Sequence, residues 1–122
     1  MIFLIFLFFP FFCFAQLEWV VPEKEKIIKN PYSTESFENG KKIYEIYCWS
    51  CHGKNGDGKG PASSNLKPSP VDFRSDVFYK QTDGEVFYKI SNGRSMMMPY
   101  KHSLSEKQRW LLVNYLKDFY EK

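Results

Sequence analysis

The stretch that most restricts what this chain can fold into is Cys48-Trp49-Ser50-Cys51-His52. Two thiols separated by two residues can each add across one vinyl group of a haem, and the histidine that follows is then placed under the iron, so C-x-x-C-H reads as a c-type haem attachment site. A macrocycle fixed at mid-chain must be enclosed by the segments on either side, which rules out most architectures of this size. A structural zinc site fits poorly, because only Cys13 and His102 remain to complete four ligands. A thioredoxin-like dithiol requires a strand-to-helix context with a β-α-β pattern around it, and no such pattern is present.

With 122 residues, 43% of them hydrophobic, the chain is one small domain whose own core is limited, so an apolar cofactor at its centre adds burial that it needs. The formal charge is +3 and no charged residue lies in the first fifteen. Two haem carboxylates pull that charge towards neutrality. It therefore speaks against a nucleic-acid partner and, at most, for a lysine-bearing face (Lys54, Lys59, Lys67 and Lys101) that meets an acidic protein.

Residues 2–14 are almost wholly apolar, and Ala15-Gln16 precede the polar chain, as in a secretory leader cleaved after Ala15. Thirteen residues are short for a bilayer span, and Phe11-Phe12 are bulky neighbours for a lipid-bearing Cys13. The expected layout is a signal peptide at 1–15, an extended arm at 16–32 and one domain at 33–122, located in the periplasm, with membrane association no more than peripheral. Export and covalent haem attachment support each other, since bacterial attachment takes place outside the cytoplasm.

Within the arm, Trp19 has the area to pin it down, and 23–28 is expected to form at most a helical turn. Ser33 or Thr34 is expected to cap a helix to about Tyr47, with Phe37, Gly40, Ile43, Tyr44 and Tyr47 along one face. The glycines from Gly53 to Gly60 make a loop. It contains G-x-x-x-x-G-K, but Gly60 stands where a phosphate loop requires Ser or Thr, and no strand precedes it. The prolines up to Pro70 stiffen a wall for one haem edge, with a proline carbonyl expected to accept the His52 Nδ1 proton. Asp83 is expected to cap a helix over 84–91 ended by Asn92-Gly93, and Ser105-x-x-Gln108 to open a last helix with Leu112, Tyr115, Leu116 and Phe119 inward. No strand pattern appears, so the class is all-α: three to four helices and long loops wrapped around one covalently bound haem.

For the second axial ligand, a methionine thioether is soft, weak and potential-raising. Met96, Met97 and Met98 stand in a row before Pro99. Because a residue before proline is pushed into extended conformations, Met98 is the expected ligand. Met96, Met97 and His102 are the alternatives.

With these residues placed, the chain resembles the class I c-type cytochromes, small monohaem proteins with histidine and methionine ligands. The resemblance runs from about Ser36 to Phe119 and is carried by G-K-K-I-Y leading into C-W-S-C-H, by D-G-E-V-F-Y-K-I-S-N-G, M-P-Y and L-L-V-N-Y-L. It implies that Gly40 and Tyr44 of the first helix cross Leu112 and Tyr115 of the last. It also implies a one-electron carrier rather than an enzyme: haem c held by Cys48 and Cys51, iron between His52 and Met98, and redox proteins as donor and acceptor in a respiratory chain. Two other readings stand beside it. One is a haem-based sensor or peroxidase-like enzyme with a dissociable methionine, and the other is a dedicated cytochrome subunit of a membrane respiratory complex.

Overall fold

Ser105 stops the chain with an extended backbone and opens the longest helix with a reciprocal pair of bonds. Its hydroxyl accepts from Gln108 N at 3.1 Å, and the Gln108 amide oxygen accepts from Ser105 N at 2.8 Å. Such a box satisfies two donors that a helix start leaves free, worth about 0.5–2 kcal/mol. In the computed structural model of the protein, which describes residues 18–121, this helix is the last of six. They are α1 (Glu23–Lys26), α2 (Glu38–Tyr47), α3 (Trp49–His52), α4 (Asp76–Tyr79), α5 (Asp83–Asn92) and α6 (Glu106–Asp118). Three exceed one turn, and no strand occurs among the described residues, as the all-α reading expects. The leader expected at 1–15 lies outside the described residues.

α2 and α6 cross at Gly40. A Cβ there would stand 2.7 Å from the Leu111 carbonyl carbon and 3.1 Å from Leu112 Cα, so only glycine lets the two backbones approach. One turn on, Tyr44 packs edge-on against Tyr115, with ring centres 5.2 Å apart, and also meets Phe73 and Phe119. These rings form the core with Ile43, Phe78, Val86, Ile90, Leu104, Leu112, Val113 and Leu116. α5 lies against α6 through Phe87, stacked on Trp110 at 3.8 Å.

α6 is buried more widely than its expected stripe, since Trp110, Leu111 and Val113 are covered too. The arm supplies part of that cover. Asn30, itself buried, donates to Trp110 O at 3.3 Å and to Asn114 Oδ1 at 2.8 Å, while the Asn114 amide donates to Tyr32 O at 2.9 Å. The arm then runs along α5. A side chain at Gly84 would collide with the carbonyls of Glu25 and Ile28. Trp19 is held between cations, 4.7 Å from the Arg94 guanidinium and 5.4 Å from Lys89 Nζ.

Two helix starts differ from expectation. α2 begins at Glu38 rather than near Thr34, because the chain turns at 31–35 and Ser36 Oγ accepts from Glu38 N at 3.2 Å. α5 is capped by Thr82, whose hydroxyl accepts from Glu85 N at 3.1 Å, and Asp83 becomes its first residue. An acidic residue in that first turn suits the positive end of the helix.

Candidate haem site

α2 ends at Cys48, whose N–H still bonds Tyr44 O at 2.9 Å, and α3 follows as a single turn. Cys51 N and His52 N both donate to Cys48 O, at 3.3 and 3.0 Å. Residues three and four apart on a helical turn share a face. Cys48, Cys51 and His52 therefore open onto one cavity. The glycine loop turns back to satisfy the carbonyls that so short a helix leaves free. Ala62 N reaches Ser50 O at 2.8 Å, Gly60 N reaches Cys51 O at 3.1 Å and Gly58 N reaches His52 O at 2.8 Å. Tyr44 adds a bond from its hydroxyl to Gly53 O at 2.5 Å. The loop expected from the glycines is thus the brace of the C-x-x-C-H turn.

Burial pushes the Cys48 thiol up to about 12, with Cys51 beside it acting in the same direction. A thiol held neutral is the reverse of the low-pKa thiolate that dithiol oxidoreductases use. Among the described residues no cluster of His, Cys, Asp and Glu could hold a metal ion by itself.

The His52 ring stacks on Phe73 at 4.5 Å, and Nδ1 faces Val71 O at 3.5 Å, the outer limit of a hydrogen bond. The carbonyl is that of Val71, directly after Pro70, and not that of a proline as expected: the prolines stiffen the segment, while the residue after them makes the contact. Burial pulls the imidazole below its ordinary value, and the Val71 carbonyl opposes this. Held through Nδ1, the ring leaves Nε2 as the nitrogen available to a metal.

The methionine loop differs from expectation. Arg94 and Met97 exchange two backbone bonds, each of 3.0 Å, across a tight turn in which Ser95 adopts φ 55°. The turn carries Met97 inward, so that it lines the cavity beside Cys48, Cys51 and His52 and also the larger one next to it. Met98, the expected ligand, is 63% exposed and lines neither cavity; Met96, 72% exposed, borders only the larger. Pro99 itself has an extended backbone, with φ −76° and ψ 122°. A restricted backbone does not by itself say which side a thioether takes, and here Met97 is inward while Met98 is exposed. His102 is exposed and lines neither cavity.

The larger cavity measures about 750 Å³, and the smaller, about 60 Å³, shares His52, Phe73, Ile90, Met97 and Leu116 with it. That volume lies in the range of cofactor pockets. The wall of the larger includes Leu66, Pro68, Pro70 and Val71 opposite α5, with Trp19 and Val21 of the arm closing one side. The residues fit a haem: two thiols on one turn, an oriented imidazole, a thioether from the facing loop and an apolar enclosure. The arm's part in this wall was not legible in the sequence.

Comparison with known proteins agrees with this geometry. The family model described as cytochrome c oxidase, cbb3-type, subunit III matches residues 35–116. Among solved structures, the KustC0563 c-type cytochrome aligns with a TM-score of 0.56 at 27% identity, over 66% of this chain and 95% of that one. A chain of the Kuenenia stuttgartiensis reducing HAO-like protein complex Kustc0457/Kustc0458 aligns with a TM-score of 0.60 at 33% identity, over 70% of this chain and 43% of that one. This chain therefore spans less than half of the second structure. Among curated proteins there is no significant sequence match. The matched segment holds α2, the C-x-x-C-H turn, the methionine loop and most of α6, and the chain belongs to the cytochrome c oxidase, cbb3-type, subunit III family of c-type cytochromes.

Proposed function

We propose that the protein is a monohaem electron carrier in which Cys48 and Cys51 hold the haem by thioether bonds, His52 Nε2 is one axial ligand and Met97, in place of Met98, is the other. The observation that carries this reading is the meeting of Cys48, Cys51, His52 and Met97 on one cavity, although Met97 comes from a loop 45 residues beyond His52. When bound, the haem supplies a one-electron couple. The chain's own part is to orient the imidazole between Phe73 and Val71 O, to offer a soft thioether that favours the reduced iron, and to exclude water with Phe73, Ile90, Leu112 and Leu116. A sensor or peroxidase-like site would require a distal acid-base group. Of the two candidates, His102 is exposed and lines neither cavity, and Arg94 borders the larger one, where it is set against the Trp19 ring. The partners are redox proteins outside the cytoplasm. The likeness to a chain of a multi-protein complex favours a second form of the same reading, in which the domain works docked within an assembly.

The test is denaturing electrophoresis of the exported protein with a haem-peroxidase stain. The wild-type band should keep its stain, and Cys48→Ala and Cys51→Ala should each weaken it. A wild-type band without stain overturns the proposal.

A further inference from the structure

Two cations stand in the wall of the larger cavity without an ion pair of their own among the described residues. Lys89 on α5 and Arg94 at the start of the methionine loop both line it. Lys89 Nζ donates to the neutral Gln81 Oε1 at 2.5 Å. The other contacts of these cations are with the Trp19 ring, whose centre lies 5.4 Å from Lys89 Nζ and 4.7 Å from the Arg94 guanidinium. Among the described residues neither forms an ion pair. Glu18, Glu23 and Glu85 border the same cavity, but Glu23 is taken by Lys26 at 2.9 Å and none of the three bonds to Lys89 or Arg94. Burial holds the Lys89 ammonium below its ordinary value, Glu85 opposes this at longer range, and Arg94 and Lys26 add to it.

Partly buried like charges beside each other are costly unless an anion joins them. An aromatic face offsets part of that cost for each cation and does not neutralise either. Their arrangement around a cofactor-sized cavity thus calls for a ligand with two negative groups. Arg94 offers a planar fork suited to a carboxylate, and Lys89 a point charge.

We infer that Lys89 and Arg94 receive the two carboxylate groups of the haem, and that Trp19 is a positioning residue that holds the two cations side by side, making the amino-terminal arm part of the cofactor site. The inference rests on the haem reading above. Carboxylates left without counter-charge near the iron favour its oxidised form, so the clamp raises the reduction potential.

The test is the midpoint potential of the haem-loaded, full-length protein. Lys89→Gln and Arg94→Gln should each lower it, while Lys89→Arg, which keeps the charge, should hold it near wild type. Trp19→Ala should lower it in the same direction, and Trp19→Phe, which keeps an aromatic face, should restore most of the loss. Unchanged potentials in both glutamine variants, with the haem stain intact, overturn the carboxylate assignment. So does an equal fall in Lys89→Arg and Lys89→Gln, since packing alone would then be at work. An unchanged potential in Trp19→Ala overturns the role of the arm. Failure of the haem reading is a different result, a wild-type chain with no stain.

Discussion

Three methionines in a row pose a problem at the scale of single residues. Proline at 99 restricts the backbone of Met98 but says nothing about which side of the chain its thioether occupies. The turn that closes Arg94 on Met97, with Ser95 in the left-handed region, decides that point. Met97→Ala should abolish the weak red charge-transfer band of ferric methionine-ligated haem and lower the potential, because a thioether favours the reduced iron. Met96→Ala and Met98→Ala should leave the band in place. Absorption spectra of the three oxidised variants check this, and loss of the band in Met98→Ala alone would return the ligand to Met98. Trp19 could be named from sequence as an anchor because it is the largest side chain in the arm. Its partners Lys89 and Arg94 could not, being some seventy residues away with no local pattern that links them.

At the scale of elements, what was legible followed local chemistry. The capping box at Ser105 and Gln108 is complete within four residues and was readable, whereas the crossing point at Gly40 came from the family resemblance. The starts of α2 and α5 were not, because Thr82 and Asp83 are both competent caps and only the neighbouring backbone chooses between them. The wide burial of α6 was illegible for another reason: it depends on where Asn30 and the arm come to lie, a contact across 80 residues. Gly40→Val should destabilise the fold by about 3 kcal/mol, the scale of overpacking in a tight core, since the new methyl groups would meet the Leu111 and Leu112 backbone. Thermal unfolding followed by circular dichroism measures it. A melting temperature equal to wild type would mean that α2 and α6 do not touch there.

For the whole molecule, the proposed pairing of His52 and Met97 on the iron would leave it no open site. Ferrous protein should therefore bind carbon monoxide slowly or not at all at neutral pH and lose its electron quickly to an oxidised partner. Lys54, Lys59, Lys67 and Lys101 are all exposed, and steering by such charges is screened over about 10 Å at 0.1 M salt. Stopped-flow oxidation by an acidic partner should thus slow as salt rises. Rapid stoichiometric carbon monoxide binding would favour the sensor or enzyme, and a salt-independent rate would remove the lysines from the encounter.

Asn30 and Asn114 stand near opposite ends of the described sequence, yet their side chains bond each other at 2.8 Å. The segment before α2 is thereby tied to the middle of α6, although the C-x-x-C-H turn lies between the two in the sequence. By this one asparagine pair, the first part of the chain is fastened to the helix that packs behind the cavity, and a substitution that frees Asn30 would loosen both together.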